Sequence, residues 1–196
     1  METKQNELHN QIIVKDDLVC PALQDAIHAI AADPSMAWYN GGEHDRYTGM
    51  SAPIFDGGHG GHINHPGLYY LSLPILMQTA YTVFDKNVSE VMRFRIGLFL
   101  HTMNMKNKST KHRMHTDYDF PHQNMLYYVN NSDGDTTIVD WDDKEVHIEP
   151  KKGRIVLFPG SLMHCSSDPE HHHSRMVINM NFMLEGVESE RQIYRR

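Results

Sequence analysis

From residue 91, hydrophobic and polar side chains alternate over ten positions, which is typical of a strand with one buried face. Further short strands are predicted downstream at 125–129, 136–141, 145–148, 154–158 and 175–184, with turn-forming residues between them. A run of about six short strands favours an antiparallel sandwich or barrel. The second half of the chain therefore predicts a mainly β core.

The first 90 residues show a different pattern. A helix is predicted at 21–32, because Leu23, Ile27 and Ile30 form one apolar stripe and Pro21 suits the first turn. A second helix is predicted at about 74–86 and a short strand at 12–14. Residues 40–67 are rich in glycine and histidine and are interpreted as a loop, either a lid over a site or an ordinary surface loop. The fold class is therefore α+β, with N-terminal helices packed on one sheet.

Length and composition restrict the class of protein. A chain of 196 residues predicts a single domain, with 1–90 as a helical and loop support region, 91–185 as the catalytic core and 186–196 as a tail. A net charge of −7 argues against a nucleic-acid partner. No apolar run reaches the length of a membrane span, and residues 1–10 lack a secretory pattern. Only two cysteines occur, which favours a reduced, cytoplasmic location.

The segment His115-Thr116-Asp117 is a candidate metal motif, because residues i and i+2 of an extended segment point to the same side. By itself it is weak evidence, since a chain with 15 histidines should contain about one such triplet by chance. The best third ligand is His164, which follows a buried strand and a Pro-Gly turn. Two imidazoles and one carboxylate form the facial triad of non-haem Fe(II) oxygenases.

Arg175 begins the last strand of the run, eleven residues after His164. Met176, Ile178 and the following alternate residues are predicted to face a hydrophobic layer, which leaves Arg175 and Asn179 on the polar face. An arginine facing a cavity needs an anionic partner, and its planar guanidinium suits a carboxylate. A small dicarboxylate co-substrate would meet this need.

These stretches, in this order, resemble the Fe(II)/2-oxoglutarate-dependent dioxygenases, and the prolyl 4-hydroxylase-like branch in particular. The resemblance covers roughly residues 90–185 and rests on the spacing of five segments: 115–117, 125–130, 150–159, 163–164 and 174–175. It implies a double-stranded β-helix, which is a jelly-roll or cupin-like barrel with the metal at its open mouth. The first 90 residues carry no assignable motif.

The resemblance also implies roles for individual residues. His115, Asp117 and His164 would bind Fe(II) as the catalytic and metal-binding residues. The cofactor-binding residues would be Arg175, with Tyr128 and Asn179, and they would hold 2-oxoglutarate while O2 completes the reaction. The family sometimes has Ser or Thr two residues after the arginine, where this chain has Val177. The tyrosine that some prolyl hydroxylases have about ten residues before the first histidine is replaced by Met105 or Lys106.

The resemblance therefore implies hydroxylation of an unactivated C–H bond, with release of succinate and CO2. The substrate could be a peptidyl proline, an amino acid or another small metabolite, and the oligomeric state cannot be read from the sequence. Two alternatives stay open: a non-catalytic cupin-like metal-binding or sensing protein, and a Zn- or Mn-dependent jelly-roll isomerase or hydrolase.

Several residues rival those of the proposed site. His147 and Glu149 form a His-x-Glu pair on a predicted edge strand, and His171–His173 lie in a polar turn. Arg95 could take the place of Arg175, and His122 could support the metal or belong to a turn. The basic run 106–113 could steer an acidic substrate. A solvent-exposed role is the alternative for each of these groups except His122.

Overall fold

The computed structural model describes residues 8–40, 49–101 and 110–186. Eleven strands and two α-helices are found in these ranges, together with two short 3-10 turns. The helices are α1 (Pro21–Ala31) and α2 (Pro66–Phe84). The strands are β1 (Ile13–Lys15), β2 (Tyr39–Asn40), β3 (Met50–Asp56), β4 (His62–Ile63), β5 (Val88–Leu100), β6 (Gln123–Tyr128), β7 (Thr136–Val139), β8 (Glu145–Ile148), β9 (Ile155–Pro159), β10 (His164–Ser166) and β11 (Ser174–Leu184).

The strands form two antiparallel sheets. The large sheet has the order β1-β9-β6-β11-β5-β3-β2, with β4 paired to β3, and the small sheet has the order β10-β7-β8. The long strand β11 pairs with β5 on one side and with β6 on the other, so it lies near the middle of the large sheet. The predicted α+β class with a mainly β core is confirmed.

Each face of the large sheet contributes to a hydrophobic cluster. On one face, Ile178 and Phe182 of β11 pack with Phe94 of β5 and with buried residues of both helices, including Ile27 and Leu76. The opposite face carries a smaller cluster in which Tyr128, Val156 and Val177 meet Ile138 and Ile148 of the small sheet. The alternation predicted for β11 is confirmed, and it leaves Arg175, Asn179 and Asn181 on the face toward the small sheet.

Helix α2 begins eight residues earlier than predicted. Pro66 occupies the first turn, and the imidazole of the N-cap His65 accepts a hydrogen bond from the backbone N–H of Leu68 at 3.2 Å. Pro74, taken from the sequence as the helix start, lies inside the helix on its exposed side. Water can reach the backbone carbonyl that the missing N–H leaves without a helical partner. The C-terminus is formed by Asp85, which adopts a left-handed conformation.

Part of the segment interpreted as a loop is a strand. Within 40–67, residues Met50–Asp56 form β3, which pairs with β5, and residues 41–48 lie outside the described ranges. The sequence did not reveal this strand because Pro53 and three glycine pairs interrupt the region. Proline is tolerated here because β2 pairs only with the first two residues of β3. The first 90 residues therefore contribute strands to the large sheet, in addition to the helices that pack on it.

No helix in the described part of the chain is long and apolar enough to cross a membrane. The N-terminal segment is instead attached to the edge of the large sheet. Strand β1 pairs with β9, and the Asp16 carboxylate that follows it accepts hydrogen bonds from Arg154 Nε at 2.8 Å and Nη2 at 3.0 Å. Lys151 Nζ lies 3.2 Å from the same carboxylate.

We expect Asp16→Asn to lower the free energy of unfolding by about 1 kcal/mol at neutral pH, because the paired groups remain partly exposed. The hydrogen bond from Arg154 lowers the pKa of Asp16 from 3.8 to about 2, an effect that Lys151 reinforces. Since the folded-state pKa is the lower one, this stabilisation is present above pH 4 or so and is lost as the pH falls toward 2. Urea denaturation of the native protein and of Asp16→Asn at several pH values measures the difference between their free energies of unfolding. A difference that stayed constant down to pH 2 would contradict the ion-pair explanation.

Candidate metal and co-substrate site

The structure brings the three predicted metal ligands together. His115 and His164 face each other in an isolated antiparallel bridge, with backbone N–H···O distances of 3.0 and 2.9 Å. Asp117 lies two residues further along the same extended segment. The potential ligand atoms of His115, Asp117 and His164 all lie within 4.8 Å of one another. One carboxylate and two imidazoles at this spacing suit a divalent transition metal.

Backbone carbonyls orient both imidazoles. Nδ1 of His115 lies 3.2 Å from the carbonyl oxygen of Arg113, and Nδ1 of His164 lies 3.0 Å from that of Leu162. If Nδ1 donates in each ring, Nε2 is the nitrogen left to bind a metal. Burial lowers the pKa of His164, which favours the neutral form that a metal ligand requires. The two rings lie 4.6 Å apart between centroids.

Polar groups from two neighbouring strands hold the Asp117 carboxylate. Arg93 Nη2 donates to Oδ1 at 2.7 Å, and the side-chain amides of Asn179 and Asn181 donate to Oδ2, each at 2.9 Å. Burial alone would raise the pKa of Asp117, but the charge of Arg93, the electrostatic influence of the His164 imidazole and the hydrogen bonds from Asn179 and Asn181 hold it well below its usual range. The carboxylate is therefore ionised, as a metal ligand must be.

Asn179 lies where the sequence placed it, on the polar face of β11, but its observed contact is with Asp117. Its Oδ1 atom is buried and has no hydrogen-bond partner among the described residues. No role in the site was predicted from the sequence for Arg93 or Asn181. They lie opposite each other in the β5–β11 pairing, and Arg93 Nε donates to Asn181 Oδ1 at 3.1 Å. The sequence does contain one indication of their position, because both residues fall on the polar faces of their alternating strands.

Arg175 is the largest buried polar side chain near the triad, with 1% of its surface exposed. Its Nη2 donates to the Thr136 hydroxyl at 2.7 Å, and the Tyr128 hydroxyl donates to the same oxygen at 2.6 Å. The guanidinium also lies 5.1 Å from the Phe99 ring centroid and 5.6 Å from that of Tyr128. Thr136 thus places a hydroxyl against Arg175, whereas Val177 has none. This contact could not be predicted from the sequence because β7 is distant from β11 along the chain.

Two nitrogens of Arg175, Nε and Nη1, are buried and have no hydrogen-bond partner among the described residues. Within those residues, no carboxylate lies at ion-pair distance from this guanidinium. A buried cation without a counter-ion is costly, so these donors fit an anionic ligand. Tyr127 points to the opposite face and joins the core, which leaves Tyr128 beside Arg175. The described residues thus present a donor set that suits a metal, and a guanidinium with which no described carboxylate pairs.

Among the described residues, none of the rival histidines belongs to the cluster of ligand atoms formed by His115, Asp117 and His164. His147 is exposed, with Nε2 3.5 Å from the Glu145 carboxylate, and the run 171–173 is also exposed. His122 is buried against Gly160, and its Nδ1 lies 2.8 Å from the Phe120 carbonyl oxygen. Of the basic run 106–113, residues 106–109 lie outside the described part of the chain, and Lys111 pairs with Glu145 at 2.7 Å.

Comparison with known proteins agrees with this geometry. Residues 99–183 match the model of a family described as the 2OG-Fe(II) oxygenase superfamily. No curated protein sequence matches the chain. The expected cofactors, Fe(II) and 2-oxoglutarate, are those that the family description names.

Solved structures share the fold at low sequence identity. A prolyl hydroxylase from Trichoplax adhaerens, solved with a hypoxia-inducible-factor peptide fragment, is 15% identical with a TM-score of 0.69, over 98% of this chain and 91% of its own. A prolyl-4-hydroxylase from Pseudomonas putida is also 15% identical, with a TM-score of 0.64, over 93% and 98%. The epimerase SnoN, solved with Fe3+ and alpha-ketoglutarate, is 11% identical with a TM-score of 0.62, over 93% and 84%.

The predicted resemblance is confirmed: the chain has the double-stranded β-helix found in 2OG-Fe(II) oxygenases, residues 99–183 match the model of that superfamily, and the fold is similar to those of two prolyl hydroxylases.

Proposed function

We propose that this protein is an Fe(II)- and 2-oxoglutarate-dependent dioxygenase that hydroxylates an unactivated C–H bond. The observation that carries the proposal is the buried Arg175, whose Nε and Nη1 lack partners within the described residues, beside the same barrel interior that holds the triad. A metal-binding or sensing protein would need the triad but has no use for a buried, unpaired guanidinium. A zinc- or manganese-dependent isomerase or hydrolase would need such a guanidinium only for an anionic substrate.

The residues of the site would have three separate roles. His115, Asp117 and His164 would hold the iron on one side and leave its other positions to exchangeable ligands. The guanidinium of Arg175, with the hydroxyls of Tyr128 and Thr136, would hold the distal carboxylate of 2-oxoglutarate and thereby orient its keto-acid end toward the triad. Arg93, Asn179 and Asn181 would fix the direction of the Asp117 carboxylate.

When bound, the iron and 2-oxoglutarate supply the oxidising chemistry, and the protein supplies orientation and exclusion of water. The balanced reaction consumes one O2. One of its oxygen atoms is inserted into the substrate C–H bond, and the other enters succinate as 2-oxoglutarate loses CO2. The buried surroundings of Arg175 and His164 keep bulk water from competing for these groups.

The structural neighbours support a candidate substrate class. One of them is a prolyl hydroxylase solved with a peptide fragment, so a peptidyl proline is one candidate. An amino acid or another small metabolite is equally compatible with the site. A cytoplasmic location stays a prediction, based on the scarcity of cysteine, and both Cys20 and Cys165 are unpaired.

The direct test is turnover of 2-oxoglutarate. Purified protein is incubated with Fe(II), 2-oxoglutarate and O2, alone and with candidate substrates, and succinate is quantified. We expect succinate to form only when iron, 2-oxoglutarate and O2 are all present, and products heavier by one oxygen atom to appear in the same samples. Zn(II) or Mn(II) in place of iron is expected to give no succinate. Iron-loaded, folded protein that binds 2-oxoglutarate no better than other dicarboxylates would contradict the proposal.

A further inference from the structure

A cavity of about 370 Å³ lies beside the metal site, between β2, β3 and β5. Its lining includes Tyr39, Ser51, Pro53, Asp56, Arg93 and Arg95. Ligand pockets in proteins commonly span roughly 300–1,000 Å³, so this cavity suits a small molecule or a single residue of a peptide.

Arg93 connects the cavity to the metal ligands. Its side chain lines the cavity, and its Nη2 donates to the Asp117 carboxylate at 2.7 Å. A molecule in the cavity would therefore lie one side chain away from a residue of the triad. A cavity at this position suits a substrate, which must approach the metal from a side that the co-substrate does not occupy.

The second arginine of the cavity, Arg95, has a different set of contacts. Its Nη2 donates to the Ser51 hydroxyl at 2.6 Å, and within residues 8–40, 49–101 and 110–186 no carboxylate lies at ion-pair distance from it. Arg93 and Arg154, by contrast, pair with Asp117 and Asp16. Partial burial lowers the pKa of Arg95, and the neighbouring charge of Arg93 lowers it further. Among the described residues, Asp117 is the acidic group whose charge acts on the Arg95 guanidinium, and that carboxylate is already bound by Arg93.

We propose that this cavity binds the substrate and that Arg95, together with Ser51, binds a carboxylate of that substrate. The inference rests on the proposed function for the identity of the reaction, but the binding itself does not depend on turnover. A guanidinium next to a hydroxyl provides several N–H donors and one O–H donor, which match the two oxygens of a carboxylate. The aromatic ring of Tyr39 and the ring of Pro53 give the cavity an apolar wall for the remainder of the substrate.

The test uses matched pairs of ligands that differ only in charge. The free amino acids and their carboxamides are titrated into Zn(II)-loaded protein saturated with 2-oxoglutarate, and binding is followed by ligand-observed NMR and calorimetry at millimolar concentrations. Tripeptides with a free or an amidated C-terminus form a second arm, which separates a free acid from a peptide as the source of the carboxylate. We expect at least one acid to bind more tightly than its amide by roughly ten- to a hundredfold, as the loss of a charge-assisted hydrogen bond predicts.

Variants connect this preference to Arg95. In Arg95→Gln the acid should bind no better than the amide, and in Arg95→Lys, which keeps the charge, part of the preference should remain. Lys15→Gln is the matched control, because it removes one exposed positive charge on β1, at the opposite edge of the large sheet. Absence of any acid preference in the native protein, or its persistence in Arg95→Gln, overturns the proposal.

The outcome can be separated from that of the proposed function. If acids bind through Arg95 but 2-oxoglutarate is not turned over, the proposed function fails and the binding site stands. If 2-oxoglutarate is turned over but the acid and its amide bind alike, the dioxygenase assignment stands and the role of Arg95 is wrong.

Discussion

Replacement of Arg175 by methionine is expected to weaken 2-oxoglutarate binding by about a hundredfold or more while leaving the affinity for iron unchanged. The guanidinium is fully enclosed, with Nη2 on Thr136 and with Nε and Nη1 unpartnered within the described residues. A carboxylate bound there would receive two charge-assisted hydrogen bonds in a setting that excludes water, where each is worth more than at the surface. Methionine fills a similar volume and leaves no buried charge, so the variant should fold.

Two milder variants give this prediction its internal controls. Arg175→Lys keeps the positive charge but loses the planar fork, and it should fall between the native protein and Arg175→Met. Tyr128→Phe removes one hydroxyl from the same cluster and should weaken 2-oxoglutarate binding by roughly tenfold or less. Calorimetric titration of 2-oxoglutarate and, separately, of the metal measures both affinities. Equal 2-oxoglutarate affinity in Arg175→Met and the native protein would show that the co-substrate binds elsewhere.

The β11 strand shows how much of the fold local pattern can predict. Alternation along 175–184 predicts which side chains lie on each face of the strand. In the structure, Ile178 and Phe182 face the helices and Val177 faces the small sheet, as predicted. Helix α2 and strand β3 are elements that local pattern did not predict correctly. Proline normally marks an element boundary, but tertiary packing retains Pro74 inside a helix and Pro53 inside a strand. Whether a proline can remain inside a helix or strand depends on which side of that element is exposed. That side is determined only by the packing of the whole chain.

The residues of the candidate site also fall into two groups, those that the sequence predicts and those that it does not. His115, Asp117, His164 and Arg175 could be identified because their order and spacing form a recognisable set. Other supporting groups, such as Arg93 and Thr136, could not be identified because their contacts depend on how the strands pair and pack. Arg93 reaches Asp117 only because β5 pairs with β11 such that Arg93 lies opposite Asn181. Thr136 reaches Arg175 only because the small sheet lies against the large one.

Among the three ligands, His115 offers the clearest test of the metal site. Asp117 holds Arg93, Asn179 and Asn181, so its replacement would leave a partly buried cation and two amides without their acceptor, and a loss of metal could reflect a disturbed fold. His115 is exposed, and within the residues that the structure describes its ring lies against the Arg113 carbonyl and the His164 ring. His115→Ala should therefore leave the free energy of unfolding of the metal-free protein nearly unchanged.

We expect His115→Ala to weaken Fe(II) binding by more than about a hundredfold, because substitutions of residues that merely support metal ligands already cost ten- to a hundredfold. Anaerobic equilibrium dialysis measures the affinity, and denaturation of the metal-free protein checks the fold. His147→Ala is the matched control, since it removes an exposed imidazole of the small sheet that takes no part in the triad. The exposed run 171–173 could retain a weakly bound ion in every variant, so a second preparation with these histidines replaced by asparagine removes that background. Retention of one tightly bound Fe(II) by His115→Ala in that background would mean that the metal lies outside the His115, Asp117 and His164 cluster.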